Sequence, residues 1–335
     1  MKPTIYDVAR EAGVSIATVS KVINNTGRIS EKTRKLVLSV MKEMNYQPSV
    51  VASALTGKST YTIGLMIPDL ANPFFSGIAR SIEDRGHALG YNIVICSTDY
   101  DPEKEAKYIS LLLQKSVDGI ILASGFENVE TVRELIKQKV PLAIIAREIP
   151  SLEVDTVAVD DFLGGYQAAS HLISLGHRRI AIIARDLWSN RERMRGYRHA
   201  LDEAGIDYGR DVEYVMESNV ESGKALAEKL LRSADPPTAI FACNDLLAMG
   251  AIHAARRLGM SIPRDLSVVG FDNTAWASVT DPPLTTVAQP IRDMGTHVMN
   301  LLIQEINGEK KHKQRIVLLP ELVVRESTAK YVRDM

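Results

Sequence analysis

The chain has 335 residues, more than one hydrophobic core usually supports, so two or three domains are expected. Forty basic and forty-one acidic residues give a net charge of −1, which argues against a protein that coats nucleic acid by charge alone. No apolar run is long enough to cross a bilayer, and the first residues contain no apolar signal segment. We therefore expect a cytoplasmic protein with no membrane partner, and the two distant cysteines, Cys96 and Cys243, fit a reducing compartment.

The first 48 residues have a helical pattern. Thr4 is a candidate N-cap of a helix that ends at Gly13, and Ser15 is a candidate N-cap of a second helix. After a loop, a third and longer helix is predicted to begin at Ser30 and to continue until Pro48. Its apolar face is predicted to consist of Leu36, Val37, Val40, Met41 and Met44.

From Thr62 onward, short apolar runs alternate with amphipathic stretches of about a dozen residues. The strand-like runs are residues 62–67, 91–96, 119–122, 142–146, 156–159, 179–183, 238–242, 266–270 and 316–319. Such alternation predicts right-handed βαβ units, and two doubly wound parallel sheets fit this length better than one. A ligand is then expected at the carboxyl ends of the strands, in the crevice between two lobes.

The even net charge is a sum of two opposite parts. Residues 1–60 carry nine basic and four acidic side chains, a net charge of +5, and the other 275 residues carry −6. A basic segment attached to an acidic body is typical of a nucleic-acid-binding module joined to a second function. Chance clustering on a solvated face is the alternative that charge alone leaves open.

Three small or β-branched residues in the first two helices have the spacing of a helix-turn-helix. Ala9 allows the helices to approach closely, Gly13 allows the left-handed turn between them, and Val19 would fix the second helix against the first. Other small helical hairpins satisfy this spacing too, so the positive charge and the N-terminal position are needed to favour DNA binding.

Longer motifs make the likeness specific. They are TIYDVAREAGVS (residues 4–15), TVSKVIN (18–24), SEKTR (30–34), MNYQP (44–48), NPFF (72–75), DGII (118–121), LGH (175–177), GFDN (270–273) and PLTTV (283–287). In this order they resemble the lactose/galactose repressor family over nearly the whole chain. The resemblance implies an all-α helix-turn-helix headpiece and an α/β body like that of periplasmic sugar-binding proteins. It also implies a homodimeric regulator, in most cases a repressor, whose affinity for a palindromic operator depends on a small-molecule effector.

The resemblance assigns the DNA contacts to the start of the chain. It implies that Ile16, Ala17 and Lys21 face base edges in the major groove. Phosphate contacts would come from Ser15, Thr18, Ser20 and Asn24, and Thr4 is a further DNA-binding candidate. Arg28 is a further DNA-binding candidate, with a solvated loop arginine as the equally weighted alternative.

Residues 49–60 resemble the family's hinge, which is expected to become helical when two subunits meet on the operator. Leu55 would be the apolar wedge that kinks DNA from the minor groove. Thr56 stands where relatives can carry a basic residue, so that additional contact is not expected. A linker residue that packs on its own domain is the alternative for Leu55.

The domain boundaries that we predict follow from these motifs. Residues 1–48 would form the DNA-binding domain and residues 49–60 the hinge. One lobe of the body would comprise residues 61–162 with 290–320, and the other residues 163–289 with 321–330.

The resemblance also implies an effector site in the body. Phe74 and Phe75 would form an apolar wall, although a core position is as good an interpretation of Phe75. Arg193 would clamp an oxygen-rich ligand, with a surface ion pair to Glu192 or a neighbouring acid as the alternative. The remaining two residues of this expected site are Asn244 and Asp272.

One departure from the family pattern bears on the ligand. Many relatives carry an aspartate where this chain has Ala146, and Arg147 follows as a further candidate for the site. Without that acid, and with Arg147 and Arg193 both available, an anionic effector such as a phosphorylated sugar or a carboxylate is expected. Control by a phosphorylated carrier protein is disfavoured, because Arg292 and Asn300 replace the aromatic residue and the arginine of the relatives that use it.

An enzyme is the competing class. The sequence contains no G-x-S-x-G elbow, H-E-x-x-H pair or G-x-G-x-x-G turn, and Gly223-Lys224 lacks the rest of a phosphate loop. The seven histidines lack metal-ligand spacing. We therefore expect no catalysis, no metal and no cofactor.

Overall fold

The computed structural model describes residues 3–23, 26–46, 59–123, 128–207 and 212–332. It divides the chain into two compact units, Met1–Thr60 and Tyr61–Met335. The phosphate contact of Asn24, most of the predicted hinge, and its wedge at Leu55 lie outside the described residues.

The described part of the first unit contains three helices: α1 (Ile5–Glu11), α2 (Ile16–Ile23) and α3 (Glu31–Glu43). Each begins at the N-cap that the sequence predicts. Thr4 and Asp7 form a capping box, in which Thr4 Oγ1 donates to Asp7 Oδ2 at 2.7 Å. Ser15 Oγ accepts from the backbone N–H of Thr18 at 3.1 Å, and Ser30 caps α3 in the same way.

The turn between α1 and α2 has the expected helix-turn-helix geometry. Gly13 has a φ of +63°, a left-handed conformation that costs a glycine little. Ala9 and Val19 are both buried in the core of the headpiece. The prediction of a helix-turn-helix is therefore confirmed at the level of the fold.

The third helix differs from the prediction in two respects. It ends at Glu43, because Met44 is the C-cap and Asn45 turns to a left-handed φ of +51°, before Pro48 is reached. Leu36, which was placed on the apolar face, is 47% exposed. The buried stripe of α3 is instead centred on Val37 and Val40.

The second unit contains two six-stranded sheets. The first has the order β11-β5-β4-β3-β1-β2 and is parallel throughout. Its strands are β1 (Thr62–Ile67), β2 (Asn92–Ser97), β3 (Gly119–Ala123), β4 (Leu142–Ile145), β5 (Asp155–Val159) and β11 (Arg315–Leu318). The helices of this lobe are α4 (Pro73–Ala88), α5 (Pro102–Gln114), α6 (Val129–Lys137) and α11 (Ile291–Ile306). Separate apolar cores lie on the two faces of the sheet, which is therefore doubly wound.

The second sheet has the order β12-β10-β9-β8-β6-β7. Its strands are β6 (Ile180–Arg185), β7 (Val212–Val215), β8 (Ala239–Ala242), β9 (Ser267–Asp272), β10 (Thr285–Ala288) and β12 (Glu321–Val323). The helices of this lobe are α7 (Asp161–Ser174), α8 (Trp188–Glu203), α9 (Val220–Leu231) and α10 (Asp245–Arg257), with a short 3₁₀ helix at Ala275–Ser278. Apolar cores again lie on both faces, one against α7 and α8 and the other against α9 and α10.

The nine strand-like runs of the sequence all correspond to strands, within one or two residues at each end. The strands β7, β10 and β12 were missed. β10 is half threonine and follows a Pro-Pro pair, and β12 has only three residues, so neither has a recognisable apolar run. β12 also pairs antiparallel with β10, which makes the second sheet mixed rather than purely parallel.

The chain passes between the two lobes three times: after β5 into α7, after β10 into α11, and between β11 and β12. No helix among the described residues combines the length and the apolar composition that a bilayer crossing needs.

Candidate functional site

The exposed side of α2 carries the predicted base contacts. Val19 and Val22 are buried in the headpiece core. Ala17 and Lys21 are exposed, and Ile16 is 41% exposed. An isoleucine left open at the start of a helix has no packing role within the described headpiece. The helix therefore presents small, apolar and cationic groups together, the chemistry that a major groove accommodates.

Lys21 is held in place along its aliphatic stem. A β-carbon on Gly27 would lie 3.4 Å from Lys21 Cδ, so the stem rests against the loop that follows α2. The Thr26 N–H donates to the Lys21 carbonyl at 3.0 Å and fixes that loop. The ammonium group is thereby directed outward from a supported stem.

The predicted phosphate contacts surround the amino end of α2. Ser15 is exposed, and its hydroxyl is hydrogen-bonded to that of Thr18 at 2.9 Å. A helix N-terminus favours anions, because its free N–H groups and the helix dipole both present positive charge. Thr4 is exposed at the corresponding end of α1, and Ser20 is half-buried on α2.

Two further residues complete the headpiece surface. Arg28 is exposed in the loop before α3, a position that both of its interpretations allow. Tyr6, which sequence analysis did not single out, is 68% exposed on α1. Its position could have been recognised, since the apolar face of α1 runs through Val8, Ala9 and Ala12 and leaves Tyr6 on the outside.

In the second unit, a cleft opens between the carboxyl ends of the two sheets. Its inner part, which we call the inner chamber, is lined by Asn72, Phe74, Phe75, Tyr100, Ala146, Asp161, Leu187, Ser189, Asn190, Arg193, Ser218, Cys243, Asn244, Asp272 and Gln289. The structure therefore brings together five of the six residues predicted for an effector site. The sixth, Arg147, is half-buried, and its neighbour Ala146 lines the chamber in its place.

The apolar wall of the chamber is formed at the start of α4. Asn72 caps this helix through its side-chain oxygen, which accepts from the Phe74 N–H at 3.0 Å. The rings of Phe74 and Phe75 lie edge to face with centroids 5.1 Å apart. Phe75 also belongs to the core of the first lobe, so the core interpretation and the site interpretation both describe it.

Arg193 is the buried cation of the cleft. Its Nε donates to Asp161 Oδ1 at 2.7 Å, its Nη1 donates to the Cys243 carbonyl at 2.5 Å, and its guanidinium lies 3.5 Å from the Phe271 ring centroid. Asp272 Oδ1 is 3.8 Å from Nη1. Burial opposes the charge of Arg193, but the carboxylates of Asp161 and Asp272 more than offset it and raise its pKa. The predicted alternative, a surface ion pair with Glu192 or a neighbouring acid, is wrong, because Arg193 is buried with Asp161 and Glu192 pairs with Arg195.

Two buried carboxyl groups face this one cation. Burial raises the pKa of Asp161 to about 6, although Arg193 favours its ionised form. Burial also raises the pKa of Asp272, whose Oδ1 accepts from Gln289 Nε2 at 2.7 Å. Asp272 has a φ of +108°, a strained conformation of the kind found where a side chain must be aimed at a ligand.

Asn244 stands at the N-cap of α10. Its side-chain oxygen accepts from the Leu247 N–H at 2.8 Å, which leaves its amide N–H₂ for the chamber. Asp245 behind it is held by Thr274 and Thr286 and orders the loop after β9. Asn244, a predicted residue of the effector site, is therefore held in place at the start of α10.

The sequence did not predict several residues that line the chamber, among them Asp161, Asn190, Tyr100 and Gln289. Asp161 was recognisable, since it follows the predicted strand β5 and strand ends converge on the crevice. Gln289 follows β10, which was itself missed. Tyr100 lies in a loop and Asn190 lies near the start of α8, and no periodic pattern of residues marks either position.

A basic helix-turn-helix in one unit and a polar, two-lobed cleft in the other define a ligand-responsive DNA-binding regulator as a class. Residues 4–49 match the family described as "Bacterial regulatory proteins, lacI family", and residues 169–328 match a "Periplasmic binding protein-like domain". The HTH-type transcriptional regulator DegA of Bacillus subtilis is 52% identical over 334 residues, which cover 98% of this chain and 99% of DegA. The chain belongs to the lacI family of bacterial regulatory proteins.

Two solved structures of the family extend the comparison. The crystal structure of the lac repressor dimer bound to operator and the anti-inducer ONPF has a TM-score of 0.87 at 30% identity and covers 98% of this chain and 100% of that one. The complex of the transcriptional regulator CelR with cellobiose has a TM-score of 0.75 at 34% identity and covers 97% and 99%. The predicted family, fold class and regulator function are confirmed.

Proposed function

We propose that this regulator binds a palindromic operator as a homodimer and that a small molecule in the inner chamber changes its operator affinity. The observation that carries the proposal is the presence, in one chain, of an open recognition face on α2 and a buried polar chamber around Arg193. The operator-bound lac repressor dimer and the cellobiose complex of CelR support both halves by similarity. The domain boundaries and the hinge wedge at Leu55 are part of this proposal.

We further propose that repression, the main activity of the class, is controlled through lobe movement. Effector binding rotates or closes the lobes, and the change reaches the hinge segments that order on DNA. The three chain crossings between the lobes supply the hinges for such a movement.

The effector that the chamber supports best is neutral and rich in hydroxyl groups. Arg193 already faces two buried carboxyl groups, Asp161 and Asp272, so a bound anion would have to compete with them for a single cation. A neutral polyol can donate to Asp272 and accept from Asn190 and Asn244. The anionic effector predicted from sequence is retained as the second candidate, because Arg147 lies close to the chamber wall in sequence.

An enzymatic function is the remaining alternative. Within the described ranges, no three His, Cys, Asp or Glu side chains are grouped as a metal site requires. Burial raises the pKa of the chamber thiol, Cys243, to about 12, which disfavours its nucleophilic thiolate. We propose that the chain is not an enzyme, and the relatives support this at the level of the class.

The test combines DNA and ligand. Operator sequences are selected from random duplexes with the full chain, and neutral sugars and sugar phosphates are then screened by calorimetry and by operator release. The proposal expects a two-fold symmetric consensus and a neutral ligand that changes operator affinity at least tenfold. Turnover of a bound ligand would favour the enzyme, tight binding of anions alone would favour the second effector candidate, and selection of no symmetric sequence would refute the dimeric DNA reader.

A further inference from the structure

The cleft is divided into two compartments of unequal size. The inner chamber has a volume of about 40 Å³, room for about three water molecules, whereas the compartment outside it has about 440 Å³. We call the larger one the vestibule, and it is lined by Asp69, Asn72, Asp99, Tyr100, Arg185, Met216, Glu217, Ser218 and Asn219. The vestibule can therefore hold an effector as it stands, whereas the chamber can hold one only if some of its lining side chains move.

Among the residues that the structure describes, three line both compartments, and one of these three is large. They are Asn72, Tyr100 and Ser218. Asn72 is fixed as the N-cap of α4. Tyr100 is thus the side chain whose position separates the chamber from the vestibule.

The ring of Tyr100 is covered by a cation from the opposite lobe. The guanidinium of Arg185 lies 3.7 Å from the centroid of the Tyr100 ring. Arg185 is the last residue of β6 in the second lobe, and Tyr100 follows β2 in the first. A cation–π contact of this kind gains strength as water is excluded from it, so the pair joins the lobes where they meet.

The loop that carries Tyr100 has little freedom of its own. Asp99 and Tyr100 both have left-handed backbones, with φ of +55° and +58°. The Asp99 N–H donates to the Pro68 carbonyl at 2.7 Å, and the Asp101 N–H donates to that of Thr98 at 2.9 Å. Because the backbone is tied to the first lobe, the ring is released mainly by separation of Arg185 or by rotation of the side chain.

We propose that Tyr100 and Arg185 form a gate between the vestibule and the inner chamber, and that the Tyr100 ring sets the size of the molecule that passes. The gate opens when the lobes separate and draw Arg185 away from the ring. It closes behind a bound ligand when the lobes return. This inference rests on the proposed function, in which the effector occupies the chamber, and it makes Tyr100 a residue that determines effector specificity.

The gate can be tested on the full chain without an effector. S189C places a reporter thiol on the chamber wall, and M216C places one in the vestibule, where Met216 is 87% exposed. Each reporter is treated with methyl methanethiosulfonate, a small reagent, and with a biotin-linked maleimide, a large one. Peptide mass spectrometry measures modification at each position and separates it from the buried Cys96 and Cys243.

The proposal expects the large reagent to modify the S189C thiol at least tenfold more slowly than the M216C thiol. Adding Y100A should remove most of this difference, and adding R185Q should raise the S189C rate with both reagents. Y100F keeps the ring and removes only the hydrogen bond between its hydroxyl and Arg185, so most of the rate difference between S189C and M216C should remain. R195Q is the matched control, since the Arg195 guanidinium lies over Phe162 within one lobe.

Equal rates at S189C with and without Y100A and R185Q would overturn the gate. So would a rise in the modification of Cys96 together with S189C, which would indicate general loosening of the fold. If Y100A alone fails to fold, R185Q and Y100F still decide the question, because neither removes the Tyr100 ring. The labelling requires no effector. A result that contradicts the gate would therefore not contradict the proposed function, and a failure to find an effector would not contradict the gate.

Discussion

A β-carbon on Gly165 would lie 1.9 Å from the carbonyl oxygen of Arg193, because α7 and α8 cross with their backbones in contact. Gly196 makes the reciprocal approach, at 1.9 Å from the Phe162 carbonyl oxygen. This crossing sets the separation between the helix that carries Asp161 and the helix that carries Arg193. The buried ion pair of the chamber thus depends on two residues that have no side chain.

Substitution of Gly165 by alanine should force α7 and α8 apart. We expect G165A to lower the free energy of unfolding by about 1–3 kcal/mol or more, the cost typical of an overpacked core. Urea denaturation of the full chain measures it. G77A is the control, because that helical β-carbon would meet only the Ile291 side chain at 3.4 Å. A G165A chain as stable as G77A would show that the crossing can relax.

Two substitutions of Arg193 should distinguish the role of its positive charge from the role of its planar guanidinium shape. R193Q leaves Asp161 and Asp272 buried without their cation and is expected to cost about 3–5 kcal/mol of stability. R193K keeps the charge but loses the planar fork, so we expect operator binding with at least tenfold weaker effector response. Operator release titrations measure this response, and R191K, at an exposed position on the same helix, is the control. Full response in R193K would exclude the guanidinium as a ligand contact.

Base and phosphate contacts of the headpiece should differ in sequence dependence. K21A is expected to cost about 1–3 kcal/mol at one base pair of each half-site and to relax the preference there. S15A should weaken binding to all sequences by similar factors. Binding to a panel of single-base operator variants measures both, with K35A on the exposed side of α3 as the control. Uniform weakening in K21A would make Lys21 a phosphate contact.

The hinge wedge makes a prediction about DNA shape. L55A should lower operator affinity and reduce operator bending, because an inserted apolar side chain holds a kinked base step open. Fluorescence energy transfer between the operator ends measures bending, and calorimetry checks that effector binding is unchanged. Normal affinity and normal bending in L55A would remove the wedge from the mechanism.

Stability should depend on pH through the buried His177. Its ring is hydrogen-bonded to Thr238, Ser267 and the Ala329 carbonyl, and burial lowers its pKa although the Ala329 contact opposes this. A depressed pKa means that the unfolded chain binds the proton more readily. The contribution of His177 is therefore complete above the ordinary histidine pKa of about 6.5 and is lost as the pH falls through the folded value.

Urea denaturation at pH 7.5 and 5.5 measures this dependence. H177Q should be less stable at pH 7.5 and should lose less stability on acidification than the parent chain. Burial also lowers the pKa of His171, so part of the dependence should persist in H177Q. H253Q, at an exposed helix position, is the control. An unchanged pH dependence in H177Q would exclude this histidine as its source.

Apolar periodicity was sufficient to predict most of the fold. A run such as Thr62–Ile67 is recognisable because a strand buried on both faces has no polar alternation. β10 was not recognisable, because its two threonines are buried with partners that only the tertiary structure supplies. The Thr286 hydroxyl donates to Asp245, and the Thr285 backbone N–H donates to the Ser327 hydroxyl. The early end of α3 has a similar cause, since the cap at Met44 is set by local backbone geometry and not by composition.

Family resemblance predicted the chamber better than the residues alone did. It placed Arg193 and Asp272 in one site although 79 positions of sequence separate them. It did not reveal Asp161, the closer of the two carboxyl groups that face Arg193, and it suggested Arg147 where Ala146 lines the wall. Tyr100 is a lining residue because two left-handed residues turn its loop toward the cleft, and sequence patterns give no indication of such a turn.

The three chain crossings between the lobes have a consequence for synthesis of the protein. The first sheet lacks its edge strand until residues 315–318 have been made, and the second lacks β12 until residues 321–323 follow. Neither lobe can therefore be completed on the ribosome before almost the entire polypeptide has emerged. By contrast, the three helices that the structure describes in the headpiece lie within the first 43 residues. Its DNA-reading face can form early in translation, whereas the part that responds to the effector can form only at the end.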